Sequence, residues 1–387
     1  MLKLRGKVIE IQSPSAPETN LYSISTNKAL PMVLRASKSY LVKDNLIPFG
    51  FNHYLILDHL KEHLSALPQS AEYTVLPDDY SYLANDDVIR ISRDKAAIRV
   101  LFRANSPHNG ILITEQCNHY CLMCSQPPKD IDDSWLLAEV ESLIPLIPRS
   151  TREILFTGGE PTLYGERFLA ILRRTKSYLP ETAIHILSNG RSFKDEVFAR
   201  SYAAIDHHDM MVGIPIYSDD PAQHDYIVQA KGAFDETVLG ILNLKRLNQQ
   251  VEIRVVIHKQ SIGRLKQLCE FIGRNLLFVD HVALMGLEMM GFTRANLDVL
   301  WIDPYEYKDT LSEAVKILAK YGLNVSVYNH QLCLVNNDIQ PYYKKSISDW
   351  KNDFAEECEG CTKINECGGF FSSGIEHGYS KHLTPFT

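Results

Sequence analysis

The chain of 387 residues has no apolar run approaching the ~18 that suggest a membrane span. It has no excess of positive charge either. A net charge of −7 does not suit a general nucleic-acid surface or an anionic membrane, so neither is expected as a partner. No repeat of solenoid period and no low-complexity tract is visible. The opening "MLKLRGKVIEIQS" lacks an apolar signal core and reads as a strand, which makes the cytoplasm the expected location. The eight cysteines are not spread as a disulfide framework. At 45% hydrophobic and 22% charged residues, the composition is that of an ordinary globular protein with a sizeable core.

Residues 1–105 carry period-two stretches, "GKVIEIQS", "DDVIRISRD" and "AAIRVLFRA", around a helix-like piece, "NHYLILDHLKEHLSAL". The prolines and polar residues of "LPQSAEYTVLPDDYSY" read as a loop. This predicts a small β-rich N-terminal domain with one helix. From 106 to 295 short apolar runs alternate with helical segments. The runs are "ILITE", "EILFTG", "AIHILSNG", "MMVGIPIYS", "VEIRVVIHK" and "HVALMGLE". Such alternation predicts a parallel sheet of βαβ units, either an incomplete barrel or an open sheet. Residues 296–387 hold a helix opened by Asp303-Pro304 and ended by Gly322, then "NVSVYN" as a strand and a cysteine-bearing tail.

The cysteines fall into groups. Cys117, Cys121 and Cys124 make CxxxCxxC, and Cys358, Cys361 and Cys367 make a second trio. Cys333 and Cys269 stand alone, the latter within the amphipathic "LKQLCEFIG" as a core thiol. Three readings compete for the first trio. Zinc wants four ligands in a tetrahedron, and His119 would have to close over its own loop. A dithiol couple leaves one sulfur unexplained. A 4Fe-4S cluster on three thiolates explains the count and leaves one iron open to chemistry. The trio also follows the first strand of the parallel set, in a βα loop of the kind that builds barrel active sites.

CxxxCxxC after the first strand and "TGGEPTLYG" after the second resemble the radical S-adenosylmethionine (SAM) enzymes over roughly 111–290. The resemblance implies a partial (β/α)6 barrel in which Cys117, Cys121 and Cys124 hold a 4Fe-4S cluster and SAM chelates its fourth iron. SAM is then cleaved to methionine and a 5′-deoxyadenosyl radical, which abstracts hydrogen from the substrate. The family usually has an aromatic residue where this chain has Met123; a thioether also packs on adenine, and Tyr120 is a candidate substitute. Gly158, Gly159, Glu160 and Pro161 fit the same picture, with bare backbone for a close approach and a carboxylate for SAM's ammonium. By resemblance Ser188, Asn189 and Ser218 lie where ribose or the methionyl carboxylate is met, with strand-end turns as the plainer account. Arg254 is a candidate partner for that carboxylate if its register turns it inward. The strand "LMGLE", 284–288, resembles the backbone wall of the adenine pocket. His224 and Asp225 invite an acid–base reading, but a helix start explains them more simply, and Gly232 and Phe234 are structural.

"CEGCTKINECGGFF" resembles the SPASM and Twitch extensions that bind auxiliary 4Fe-4S clusters, although spacing alone suits zinc as well. A further cysteine of the full pattern is Phe371 here, so one auxiliary cluster is implied, on Cys333, Cys358, Cys361 and Cys367. The whole chain resembles the maturases of His-Xaa-Ser peptide systems. That implies a ribosomally made peptide substrate, a sister radical SAM maturase and a reducing donor such as flavodoxin or ferredoxin. The N-terminal domain is then either a peptide grip working by strand addition or a lid on the barrel. A radical SAM enzyme of a small molecule, and a non-catalytic iron–sulfur or zinc protein, are the alternatives.

Overall fold

The computed structural model describes residues 2–12, 19–345 and 352–387. Ser13, the last residue of "GKVIEIQS", lies outside them. The first strands are β1 (Arg5–Lys7), β2 (Glu10–Gln12), β3 (Thr19–Ser25), β4 (Lys38–Leu41), β5 (His53–Leu57), β6 (Glu72–Leu76), β7 (Val88–Ser92) and β8 (Ala97–Phe102). Their order is β1-β8-β7-β3-β4-β5-β6-β2. Only Val8 and Ile9 separate β1 from β2, yet these strands end the order on opposite sides. The sheet therefore curls until its ends meet. Val8 N–H donates to Ala96 O and Ile9 N–H to Val75 O, each at 2.9 Å.

Two expectations for this region are corrected. The helix-like "NHYLILDHLKEHLSAL" is β5 followed by 3₁₀ turns over Asp58–Ala66. All five residues of β5 are buried between β4 and β6, and two-sided burial of aromatic and aliphatic side chains outweighs the helical spacing. The stretch read as a loop contains β6, because Pro68 and Pro77 bracket the strand rather than interrupt it.

The second sheet contains β9 (Gly110–Thr114), β10 (Glu153–Gly158), β11 (Ala183–Leu187), β12 (Met210–Pro215), β13 (Gln250–Ile257), β14 (His281–Gly286) and β15 (Val325–Tyr328). All pairs are parallel and the order follows the chain from β9 to β15. The helices Trp135–Leu143, Glu166–Tyr178, Glu196–Ala203, Ala233–Arg246, Leu265–Asn275 and Pro304–Lys320 alternate with these strands. This is the expected α/β architecture, with parallel strands curving as a partial barrel. "NVSVYN" joins it as β15, a seventh strand beside β14.

Alternate strand residues, such as Val251, Ile253, Val255 and Ile257 of β13, pack outward into one large core with the helices. Val88 and Phe102 of the first sheet belong to that same core. Arg90 and Arg99 also cross from it to Glu139 on the helix Trp135–Leu143, at 3.0 and 2.5 Å, and both guanidinium groups lie over Trp135.

Close packing fixes the strand-end turns as well. Gly240 presses the helix Ala233–Arg246 onto the turn at Gly190, so that an added Cβ would run into the Gly190 carbonyl. Gly→Ala normally favours a helix. Here Gly240→Ala is expected to lower stability by about 1–3 kcal/mol, the usual cost of overpacking. Urea unfolding measures it, and a more stable variant would show that the helix is not held so tightly.

Candidate active site

The three thiols sit on the loop after β9, and neighbouring elements hold that loop from both sides. Before Cys117, the buried Asp133 accepts from Thr114 Oγ1, Glu115 N–H, Gln116 Nε2 and, at 2.6 Å, from Tyr164 OH. After it, Tyr120 N–H donates to Val228 O and Leu122 N–H to Ile227 O, stitching the loop to the helix Pro221–Val228. Phe292 N–H donates to Cys124 O at 2.8 Å. Met123 is buried with Tyr217, Ile227, Val228 and Leu300, whereas Tyr120 is 51% exposed and outside that group.

Gly158 and Gly159 let β10 end hard against this loop. A Cβ at Gly158 would collide with Thr114 O, and one at Gly159 with Gln116 O. Gly159 N–H and Glu160 N–H donate to those two carbonyls, both at 2.8 Å.

Glu160 is fully buried. Its Oε1 accepts from Thr162 N–H (3.0 Å), Thr162 Oγ1 (2.5 Å) and Ser188 Oγ (2.9 Å), while Oε2 accepts from Asn189 N–H (2.6 Å). Burial pushes its carboxyl above the ordinary range, and the four donors oppose that. Asn189 in turn donates from Nδ2 to Asn118 Oδ1 at 2.6 Å and accepts from Arg191 N–H and Thr237 Oγ1. Pro161 is buried at the start of a 3₁₀ turn. Ser218, past β12, is also buried and accepts from Asp220 N–H. The structure thus gathers Glu160, Ser188 and Asn189 into one hydrogen-bonded cluster beside the cysteine loop and leaves Ser218 in a separate turn.

Burial pushes all three thiols upward, Cys117 to about 12, and the fields of neighbouring thiols add to the rise at Cys117 and Cys121. A bound cation removes that penalty by taking the place of the protons. Among the described residues no three His, Cys, Asp or Glu side chains are gathered tightly enough to hold a single ion. Zinc needs its thiolates at about 2.3 Å from one point. A cubane takes one thiolate per iron. Buried His119 N–H lies 3.4 Å from Cys117 Sγ, and His119 Nε2 has no partner. Three thiols on one pinned loop beside a glycine cradle fit a cluster that takes one thiolate per iron.

Arg254 points into the barrel. Its Nη1 donates to Glu252 Oε1 at 2.6 Å and its Nη2 lies 3.3 Å from Met285 Sδ. Glu252 also faces His281 Nδ1 (2.7 Å) and His185 Nε2 (3.6 Å), and His281 Nε2 meets Ser326 Oγ at 2.9 Å. Sequence reading missed this network except for Arg254. The available signal was polar residues at alternate positions of otherwise apolar strands. His224 Nδ1 accepts from Tyr217 N–H, and Asp225 accepts from Gly232 and Phe234 N–H, which gives both a structural role.

The second set, Cys333, Cys358, Cys361 and Cys367, lines one cavity walled by Phe354, Ile364, Phe370, Leu383 and Phe386. Leu332 and Gly369 N–H each lie 3.4 Å from Cys367 Sγ. These four thiols fit a second cluster by the chemistry of the donor set and its apolar surround. Cys269 is buried in the helix Leu265–Asn275, away from both groups.

Residues 111–272 match the model of the Radical SAM superfamily. The chain carries a radical SAM domain. Such domains use a 4Fe-4S cluster and SAM, and they belong to enzymes. No curated protein matches the chain. Similar solved structures include Streptococcus suis SuiB bound to S-adenosylmethionine, at 15% identity over 56% of this chain and 50% of that one, TM-score 0.45. SuiB bound to precursor peptide SuiA matches at 13% identity over 58% and 49%, TM-score 0.45. Native anSMEcpe with bound AdoMet and Kp18Cys peptide matches at 13% identity over 72% and 92%, TM-score 0.49. The chain spans about half the length of the SuiB structures. Among the described residues, no helix is long and apolar enough to cross a membrane.

The radical SAM barrel contains a buried ion pair with a predictable pH signature. Burial alone would raise the Glu252 carboxyl, but the His281 hydrogen bond and the Arg254 charge bring it down to about 2. Glu252 therefore stabilises the fold above about pH 4.5, and that contribution is lost as pH falls through about 2. Glu252→Gln is expected to cost roughly 3 kcal/mol at pH 7 by leaving Arg254 unpaired. The gap to the parent should close between those two pH values, because acid also unpairs Arg254 in the parent. Urea titrations at stepped pH measure it; a gap independent of pH would remove the ion-pair account.

Proposed function

We propose that this chain is a radical SAM maturase of a ribosomally made peptide, of the His-Xaa-Ser type. In this reading one 4Fe-4S cluster sits on Cys117, Cys121 and Cys124, and an auxiliary one on Cys333, Cys358, Cys361 and Cys367. The observation that carries it is the convergence of those four thiols, drawn from 35 residues of sequence, on one apolar cavity in a chain with a radical SAM domain. When bound, such a cluster together with SAM would supply one-electron cleavage of a carbon–sulfur bond and with it a hydrogen-abstracting radical.

The chain's own residues do the rest. The pinned loop 117–124 presents three thiols and no fourth, so that a bound cluster would keep one position for SAM. Gly158 and Gly159 bring bare backbone to the rim of that loop, and Glu160, Ser188 and Asn189 are assigned to hold SAM there. Because Glu160 already accepts four hydrogen bonds, its contribution includes keeping the β10 and β11 ends in register for the ligand. Ser218 is assigned to the ribose side. Met123, Tyr217 and Leu300 form an apolar wall that limits water near the reacting centre. Cys333, Cys358, Cys361 and Cys367 would hold the auxiliary cluster, which is assigned to electron transfer or to shaping the tail. A sister maturase and a flavodoxin or ferredoxin donor complete the proposed system, in the cytoplasm.

Anaerobic reconstitution should give about eight irons per chain if both sites hold cubanes. Replacing Cys117, Cys121 or Cys124 with Ala is expected to abolish 5′-deoxyadenosine formation. Cys361→Ala should lower iron by about half while some uncoupled SAM cleavage persists. Deoxyadenosine made at the parent rate by Cys121→Ala would end this reading, and zinc in the second site would confine it to the first cluster.

A further inference from the structure

A cleft opens beside the cavity of the second thiols. On one side it is bounded by Leu287 and Met289, in the segment that runs on to Phe292 and its bond with Cys124 O. On the other side Gln331, Gly369 and Phe370 line both this cleft and the cavity of the second thiols. Its lining therefore runs from the segment that bonds the first thiol loop to the wall of the second cavity.

The lining has a consistent chemistry. Among the described residues it contains no Asp, Glu, Lys, Arg or His. Trp301, Tyr307, Phe370, Phe371 and Tyr379 contribute aromatic surface. Asn329, Gln331 and Asn352 contribute carboxamides, and Gly286, Gly368, Gly369 and Gly374 leave main chain bare. Asn329 Oδ1 is buried without a hydrogen-bond partner. The adjoining helix Pro304–Lys320 offers nothing to an anion, because the Asp303 carboxylate already caps Tyr305 N–H at 2.9 Å.

We infer that this cleft binds an uncharged stretch of polypeptide, with a main-chain N–H of that stretch donating to Asn329 Oδ1. A phosphate or carboxylate placed here would shed water and find no cation. A peptide main chain alternates donors and acceptors, which carboxamides and bare backbone match in kind. Neutral side chains, aromatic ones included, find aromatic walls. This inference rests on the proposed peptide substrate and narrows it to segments whose reacting part carries no charge. The rival small-molecule substrates with phosphate groups do not suit this lining.

The test uses the reconstituted full chain and a pool of N-acetylated, C-amidated octapeptides randomised at four central positions. Retained peptides are sequenced by mass spectrometry. The parent protein is expected to retain peptides depleted at least threefold in Asp, Glu, Lys and Arg relative to the input. Asn329→Asp, isosteric and compatible with the left-handed backbone at φ +57°, should restore Lys and Arg at least threefold. Asn352→Asp is the second variant should the first fail to fold. Retention without charge bias, variants that leave the bias unchanged, or displacement of the peptides by guanosine monophosphate would each overturn the inference. Deoxyadenosine formation in the same preparation separates the two levels. If SAM is cleaved but the bias is missing, only the cleft assignment falls; if the bias is present without SAM cleavage, the radical reading falls and the cleft stands.

Discussion

The carboxylate of Glu160 is the tie on which the site depends. A carboxylate stripped of water is tolerable only when its lone pairs are met by donors, and here they are met from two loops. Thr162 belongs to the turn after β10, whereas Ser188 and Asn189 end β11. Removing the carboxyl group would leave two main-chain N–H groups buried without acceptors, so the two strand ends cannot separate cheaply. Asn189 carries the tie further, through Asn118, into the cysteine loop itself. The thiols are thus held in place by a polar network two steps long. Its members are close in space because Gly158 and Gly159 let β10 run against the main chain of residues 114–116.

How much of this was legible in the sequence depended on range. CxxxCxxC and GGEP are local patterns that a family resemblance picks up from the sequence, and the strands around them are apolar runs too regular to miss. The N-terminal region misled for the opposite reason. β5 has helical spacing at its end and β6 sits between prolines, and only pairing with neighbours far along the chain decides their state. The direction of Arg254 was likewise a matter of register. Once β13 pairs Arg254 with Pro215 on one side and Ala283 on the other, its side chain faces the barrel interior with Glu252, while Ile253 and Val255 go to the helices. Charged residues at every second position of a strand, flanked by fully apolar alternates, mark a polar interior. His185 and His281 fit that rule across neighbouring strands.

The curled N-terminal sheet bears on how a peptide would be held. Strand addition needs a free edge of useful length. Here the two end strands are three residues each and run directly into one another, so little edge remains between them. The same sheet shares Val88 and Phe102 with the main core and clamps Glu139 between two arginines, which makes it a fixed wall against the helix Trp135–Leu143.

β15 accounts for how a lone cysteine comes to line one cavity with a distant trio. Nothing near Cys333 in sequence suggests a ligand. Yet β15 pairs in parallel with β14, so the chain leaves it at the same end of the sheet where the cysteine loop lies. Asn329, His330 and Gln331 follow at once, with Asn329 in the left-handed conformation that turns the chain aside. Tyr307 OH meets His330 Nε2 at 2.9 Å, and Tyr343 OH donates to His330 O while accepting from Gly368 N–H. These bonds seat the tail bearing Cys367 directly over the turn bearing Cys333. A seventh strand is therefore more than an extension of the sheet. It carries the second thiol group to the same end of the sheet as the first, beside a cleft whose described lining residues carry no charge.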